Sequence, residues 1–194
     1  QLKRLRGRGV KLTVAVDQVA ASGGYMMACI ADRILAAPFA VIGSIGVVAQ
    51  VPNFHRLLKK NDIDVELMTA GEYKRTLTML GENTDKGREK FQQELEETHQ
   101  LFKGFVREHR RTLDMDAVAT GEHWFGTRAK ELGLVDDIMT SDEYLQGRKE
   151  HLDLYELNWE YKRKLAERLG VSVENAGVRL IDRFWHRGSQ RQFH

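Results

Sequence analysis

A chain of 194 residues, 42% of them hydrophobic, is long enough to bury one core with a small appendage. Its 30 basic and 28 acidic residues leave a net charge of +2, which gives no support for a nucleic-acid partner or a strongly acidic substrate. The single cysteine, Cys29, excludes an intrachain disulfide, and no run of about 18 apolar residues is available to span a membrane. No HExxH or CxxC spacing occurs, so neither a metal nor another cofactor is expected.

The first forty residues alternate between helical segments and short apolar ones. Residues 2–8 are rich in cations and predict the last turns of a helix. The β-branched run at 11–16 predicts a buried strand, residues 23–33 predict a packed helix, and residues 34–37 predict a second strand. A strand, a helix and a strand in so short a stretch form a βαβ unit, so the sequence predicts an α/β fold.

The next segment is apolar but interrupted by glycine. In residues 40–48 two glycines flank Ser44, and glycines within a strand pattern indicate a bulge or a close approach of backbone. A helix over 52–61 and a half-buried strand over 64–69 are predicted to follow.

A polar turn at 71–76 leads into a long helix, which Thr84 is expected to cap and which runs to about residue 112. Its apolar side chains recur at spacings of three and four, as one stripe: Phe91, Leu95, Thr98, Phe102 and Phe105. The stripe fits packing against the chain's own core, and it equally fits assembly with other copies.

The remaining residues divide into the end of the core and an extension. Residues 121–126 predict a strand or turn, 128–132 a short helix and 134–138 a final strand. These complete a predicted core domain over residues 1–150. Residues 151–194 are predicted to form a C-terminal extension, with an edge strand at 154–159 and helices at 161–169 and 173–186. The last helix is basic and amphipathic, which fits a membrane surface, a partner subunit or its own domain.

Ser22 is the candidate nucleophile, because it stands where a strand is predicted to end and a helix to begin. The free N–H groups of a helix start can stabilise the oxyanion that forms when a serine attacks a carbonyl. The glycines that follow, Gly23 and Gly24, allow backbone to approach a substrate without a Cβ between them. A structural interpretation also fits, since serine is a common N-cap and Gly-Gly is ordinary turn chemistry.

Six short motifs occur in one order across residues 12–138: Ala20–Tyr25 (AASGGY), Ala31-Asp32, Ala37-Pro38, Gly43–Val47 (GSIGV), Gly71–Lys74 (GEYK) and Gly133–Asp136 (GLVD). Together they resemble the signal peptide peptidase A (SppA) family of serine proteases. The intervening segments YMMACIAD, KRTLTMLGEN and ATGEHW are most similar to its SohB branch. The resemblance implies a Clp-protease/crotonase-like α/β fold with repeated β-β-α units, followed here by a helical C-terminal extension.

The resemblance also implies a serine/lysine dyad. The nucleophile would be Ser22 and the general base Lys74, with the hydroxyl of Ser44 orienting the lysine amine. The N–H of Gly23 would donate to the oxyanion. The substrate would lie along backbone near three further positions: Gly24, Tyr25 and Gly43.

This dyad makes chemical sense because a serine hydroxyl is a weak nucleophile until a base removes its proton. A lysine amine can act as that base only when neutral, and burial in a dry pocket favours the neutral form. Among the seven histidines, His55 and His123 are rival candidates for the base, although neither lies in a family motif.

Further expectations follow from the resemblance alone. The substrate would be a peptide, such as a signal peptide or another short or unfolded chain, and the protein would form a homo-oligomer. The second oxyanion donor and a membrane anchor are expected upstream of these residues, with the catalytic domain on the periplasmic side of a bacterial inner membrane. The alternatives are a catalytically inactive scaffold and a crotonase-like acyl-CoA enzyme of the same fold.

Overall fold

The computed structural model describes residues 1–158, which form seven helices and six strands. The helices are α1 (Leu2–Gly7), α2 (Gly23–Ala28), α3 (His55–Lys60), α4 (Asp85–His109), α5 (Met115–Val118), α6 (Gly126–Glu131) and α7 (Ser141–Gln146). The strands are β1 (Thr13–Val16), β2 (Val19–Ala21), β3 (Arg33–Ala36), β4 (Val41–Gly43), β5 (His123–Phe125) and β6 (Asp137–Ile138).

The strands form two small sheets, and the first four strands alternate between them. One sheet has the order β1-β3-β6 with parallel pairing throughout. The other has the order β2-β4-β5, in which β2 and β4 are parallel and β5 is antiparallel to β4. The β1-β2-α2 segment and the following β3-β4 pair therefore repeat one β-β-α plan. The predicted α/β fold with repeated β-β-α units is confirmed.

The core lies between these sheets, α2 and the C-terminal half of α4. The strands are short, and most of their buried side chains are aliphatic because parallel strands are covered on both faces. Phe102 and Val106 of α4 are buried against the rest of the core. The predicted N-cap of this helix is confirmed, since the Thr84 side chain accepts the Gly87 N–H at 3.1 Å.

Helix α2 is shorter than the predicted 23–33 helix and ends at Ala28. Asp32 explains the difference, because its N–H donates to the Leu12 carbonyl and its carboxylate accepts the Leu12 N–H. These two bonds direct the chain into β3 before the helix can continue.

The predicted strand over 64–69 is wrong, because these residues have no regular structure and are exposed. Alternating hydrophobicity needs a partner strand to become a strand, and none of the described strands pairs with this segment. Strand β2 was not predicted at all, since three residues are too few to show a period.

The chain divides into two compact units, Gln1–Leu152 and Asp153–His194. The described residues of the second unit, 153–158, are exposed and irregular, so a strand beginning at 154 is not observed. The two predicted helices of the extension lie outside the described residues, and its domain assignment stays a prediction.

We expect Gly126→Ala to lower the free energy of unfolding by about 3 kcal/mol, because overpacking a tight site forces backbone shifts. A Cβ on Gly126 would lie 2.1 Å from the Ala37 carbonyl oxygen. Gly104→Ala in α4 is the matched control, since nothing lies within 4 Å of its added Cβ. That variant should gain about 1 kcal/mol from helix propensity. Urea unfolding followed by circular dichroism compares the two, and equal stability of the variants would contradict the close approach.

Candidate active site

Ser22 occupies a strained turn between β2 and α2. Its backbone has φ 51° and ψ −119°, a conformation that costs a residue with a side chain about 1–3 kcal/mol. Its N–H donates to the Gly43 carbonyl at 2.8 Å and its carbonyl accepts the Met26 N–H at 2.9 Å. A strained strand-to-helix turn of this kind presents the nucleophilic serine in α/β-hydrolases.

Ser44 follows the neighbouring strand in the same way. Strands β2 and β4 are parallel, and Ser22 and Ser44 are the residues directly after them. Carboxyl ends of parallel strands meet at one edge of a sheet, which is where ligands bind in open α/β sheets. Ser44 also has a positive φ of 52°, and its N–H donates to the Glu122 carbonyl at 2.7 Å. The two serines therefore share one sheet edge.

Both serines line a cavity of about 980 Å³ between this sheet edge and α4. Its lining combines small residues of the two turns with apolar side chains and one face of the helix. The lining residues are Ser22, Gly23, Met26, Ser44, Gly46, Val47, Val48, Thr98, His99, Leu101, Phe102, Phe105, Thr120 and Gly121. An extended apolar segment fits such a surface, because apolar walls favour apolar groups and two hydroxyls supply polar contacts.

The N–H of Gly23, the candidate oxyanion donor, is free to bind a ligand in the cavity as far as residues 1–158 are concerned. Gly23 is the first residue of α2, so its N–H has no acceptor within the helix. It lies beside Ser22 in the cavity lining, and within residues 1–158 it donates to no other protein group. The Ser22 N–H is not available for this role, because it is already bonded to Gly43.

Lys74 lies elsewhere on the molecule. It is exposed and does not line the cavity. Its turn contacts the first part of α4, where the Lys86 amine donates to the Glu72 carboxylate at 2.5 Å. The Tyr73 ring lies 5.6 Å from the Lys86 amine and 5.8 Å from that of Lys90.

The turn and the cavity lie against different ends of helix α4. A helix rises about 1.5 Å per residue, so Lys90 and the cavity-lining His99 are about 14 Å apart along its axis. Among residues 1–158 the Lys74 amine forms no ion pair and no side-chain hydrogen bond. The structure thus brings Ser22, Ser44 and Gly23 together and leaves Lys74 apart from them.

The three predicted substrate-binding positions lie outside the cavity lining. Tyr25 is fully buried, and its hydroxyl donates to the Leu134 carbonyl at 2.8 Å. Gly43 is buried with φ 101°, and a Cβ there would lie 3.0 Å from the Trp124 ring. Gly24 is half-buried. In this structure Tyr25 and Gly43 support the turns that carry the serines.

A charged network of Arg110 and Asp136 lies next to Tyr25 of α2. Arg110, at the end of α4, donates to both carboxylate oxygens of Asp136 at 3.0 and 2.8 Å and to the Gly133 carbonyl at 2.9 Å. Asp136 also accepts the Ile34 N–H at 2.7 Å. Burial alone would raise the pKa of Asp136, but these hydrogen bonds outweigh burial and hold its pKa below the usual value. Burial raises the pKa of the neighbouring Tyr25 hydroxyl, which stays protonated as a donor.

His99 is the site residue that the sequence did not single out. Its ring is half-buried, lines the cavity and has Nε2 at 3.2 Å from the Ile45 carbonyl oxygen. It is the only ionisable side chain among the described lining residues. The predicted stripe could have indicated it, because His99 is four residues after Leu95 and three before Phe102 in α4. The two histidines considered as bases, His55 and His123, do not line the cavity.

The comparison with protein families identifies the chain. A family model described as Peptidase family S49 matches residues 4–155. The chain belongs to Peptidase family S49. The S49 chain is 59% identical to the probable protease SohB of Haemophilus influenzae over 184 residues, which cover 95% of this chain and 52% of that protein. It is 55% identical to the probable protease SohB of Buchnera aphidicola subsp. Acyrthosiphon pisum over 188 residues, covering 96% and 56%.

These relatives confirm the predicted SppA/SohB family, and both come from bacteria. The S49 chain spans about half the length of the curated relatives it matches. A solved enoyl-CoA hydratase/isomerase from Marinobacter aquaeolei resembles the S49 chain with a TM-score of 0.41 and 15% identity, over 77% of this chain and 39% of that one. A similarity at that level carries no conclusion about activity. Among residues 1–158, no helix combines the length and hydropathy needed to cross a bilayer.

We expect Ser22→Gly to be more stable than Ser22→Ala by about 1 kcal/mol, because glycine adopts a positive φ without steric cost. Both variants lack the hydroxyl, so their difference isolates the backbone strain at φ 51°. The midpoints of urea unfolding measure it. An alanine variant as stable as the glycine variant would show that Ser22 is not strained.

We expect Asp136→Asn to lower the free energy of unfolding by about 1–3 kcal/mol at neutral pH, because Arg110 loses its charged partner. The pKa of Asp136 is depressed in the folded state, so its contribution is present above the ordinary aspartate pKa of about 3.9. It disappears as pH falls through the lower, folded-state pKa. The stability difference between wild type and Asp136→Asn should therefore shrink in acid.

Urea unfolding of both proteins between neutral and acidic pH measures this difference. The exposed Asp116, which forms no ion pair within the described residues, offers Asp116→Asn as the control. A pH-independent difference for Asp136→Asn would contradict the assignment.

Proposed function

We propose that the chain carries the nucleophile of a serine endopeptidase, with Ser22 as the nucleophile and Lys74 as the general base. The observation that supports it best is the strained turn that presents Ser22 beside an available Gly23 N–H in an apolar cavity. Membership of a peptidase family and relatives that are called proteases support the same reaction class.

In the proposed reaction the Ser22 oxygen attacks the carbonyl carbon of a peptide bond and its proton passes to the neutral Lys74 amine. The developing oxyanion accepts a hydrogen bond from the Gly23 N–H. The lysine ammonium then protonates the leaving amine as the C–N bond breaks, which leaves an acyl-enzyme. A water molecule attacks this ester and gives a proton to the lysine amine, which returns that proton to the Ser22 oxygen as the acyl C–O bond breaks. The carboxylic acid product leaves and the Ser22 hydroxyl is restored. Ser44 accepts a hydrogen bond from the amine and orients it.

The proposal requires a Lys74 amine to reach the cavity, which it does not do in the isolated chain. Desolvation is what makes a lysine a base, and the exposed GEYK turn supplies none. We therefore propose that assembly with a second copy, or the further residues of the full-length protein, places a Lys74 amine beside Ser22. The homo-oligomer expected from the resemblance would serve this purpose.

Substrate and location follow the same proposal. The apolar lining of the cavity, with Met26, Val47 and Phe102, suits short or unfolded apolar peptides such as released signal peptides. A membrane anchor upstream of these residues would place this domain on the periplasmic face of a bacterial inner membrane.

A second candidate function is that of an inactive scaffold, and the exposed position of Lys74 favours it. A scaffold needs the fold and the cavity but not the base. It would tolerate the loss of either dyad residue without change in function.

Labelling with a fluorophosphonate probe tests the peptidase proposal, because an activated serine displaces fluoride from phosphorus. On the full-length protein we expect Ser22→Ala to abolish labelling and Lys74→Ala to slow it about 10²–10⁴-fold, the usual contribution of a general base. The wild-type rate should rise with pH as the base loses its proton.

The control is Lys60→Ala, which removes an exposed lysine at the end of α3 and should label at the wild-type rate. Labelling of wild type that persists in Ser22→Ala would place the nucleophile elsewhere. A folded wild-type protein that never labels would favour the scaffold.

A further inference from the structure

His99 joins α4 to the turn that carries Ser44. Its Nε2 lies 3.2 Å from the Ile45 carbonyl oxygen. A carbonyl oxygen can only accept, so the imidazole Nε2 carries the hydrogen and donates it. In the neutral ring Nδ1 is then the nitrogen without a hydrogen. The bond crosses from a helix to a turn that lies 54 positions earlier in the chain.

The Ser44 turn needs this support because its backbone is strained. Ser44 has φ 52°, and a strained residue persists only where its surroundings determine its conformation on several sides. On one side its N–H donates to the Glu122 carbonyl at 2.7 Å, and within the turn its own carbonyl accepts the Gly46 N–H at 3.0 Å. His99 holds the opposite side, through the carbonyl of the next residue.

Burial makes this hydrogen bond contribute more to the stability of the turn than a hydrogen bond on the surface would. The Ile45 side chain is fully buried, and the His99 ring is half-buried against an apolar lining. Among residues 1–158 no other group donates to this carbonyl, so the loss of His99 would leave it without a protein partner beside apolar groups such as Val47 and Phe102.

We propose that His99 is a positioning residue of the active site, which fixes the Ser44 hydroxyl by donating a hydrogen bond to the Ile45 carbonyl. This inference rests on the proposed function of Ser44 in orienting the lysine amine. His99 acts through the turn. Its Nε2 is occupied, and within residues 1–158 no hydrogen bond joins the ring to Ser22.

Two substitutions distinguish the contribution of the hydrogen-bond donor from that of the imidazole ring. His99→Gln keeps an N–H at nearly the position of Nε2, whereas His99→Leu removes the donor and keeps an apolar side chain of moderate size. His109→Leu is the matched control. That histidine is also in α4 and its Nδ1 lies 2.8 Å from a backbone carbonyl, but the carbonyl is that of Phe105 in the same helix.

On the full-length protein, we expect His99→Leu to lower the maximal rate of fluorophosphonate labelling about tenfold, the equivalent of one hydrogen bond. The probe concentration for half-maximal rate should not change, because the turn orients the base rather than binds the probe. His99→Gln should restore the rate, with the wild-type pH profile, and His109→Leu should match wild type. A folded His99→Gln that is as slow as His99→Leu would overturn the proposal and make the ring itself the proton acceptor.

Hydrogen–deuterium exchange supplies a readout that does not depend on activity. The amides of Ser44 and Gly46 should exchange faster in His99→Leu than in His99→Gln or wild type, because the turn has lost one of its supports. Equal exchange in all three would overturn the positioning role. If Ser22→Ala labels like wild type, the proposed function fails, and the exchange result still decides whether His99 holds the turn.

Discussion

The hydrogen bond from the Ser22 N–H to the Gly43 carbonyl is the constraint on which the candidate site depends. It joins the turn after β2 to the end of β4, so the two parallel strands finish side by side. Ser22 and Ser44 each follow one of these strands with a positive φ. The strain costs free energy, but it directs two hydroxyls to one sheet edge and keeps the first N–H of α2 available.

Helix α4 turns that sheet edge into a cavity. Its C-terminal half supplies the opposite wall, with Phe102 and Phe105 in the lining. Arg110 joins the C-terminal end of α4 to Asp136. Near the middle of the helix, His99 contacts the Ile45 carbonyl. The wall is therefore attached at two points along its length. Its N-terminal half instead contacts the GEYK turn, which explains why one helix can serve the cavity and still separate Lys74 from it.

In this structure the candidate nucleophile Ser22 and the Gly23 N–H lie together, whereas the Lys74 amine is exposed and lies away from them. This division has a physical reason. Ser22 and Gly23 belong to short-range turns held by sheet hydrogen bonds, whereas Lys74 lies in an exposed segment with few buried contacts. Such a segment has few contacts that fix its conformation. The assignment of Ser22 thus stands on geometry in this chain, and that of Lys74 on the family motif.

The sequence by itself determined the α/β class, strand β1, the helix after Ser22 and the Thr84 cap, because these depend on local hydrophobic period and capping chemistry. Its ordered motifs also determined the family. Only the tertiary structure decided that α2 ends at Ala28, that residues 64–69 form no strand, and that His99 lies in the cavity. Each of these depends on residues distant in the chain: Leu12 for the helix end, the lack of a partner strand among residues 1–158 for 64–69, and Ile45 for the histidine. Local sequence pattern contains no information about such distant residues, because only the packing of the folded chain brings them into contact.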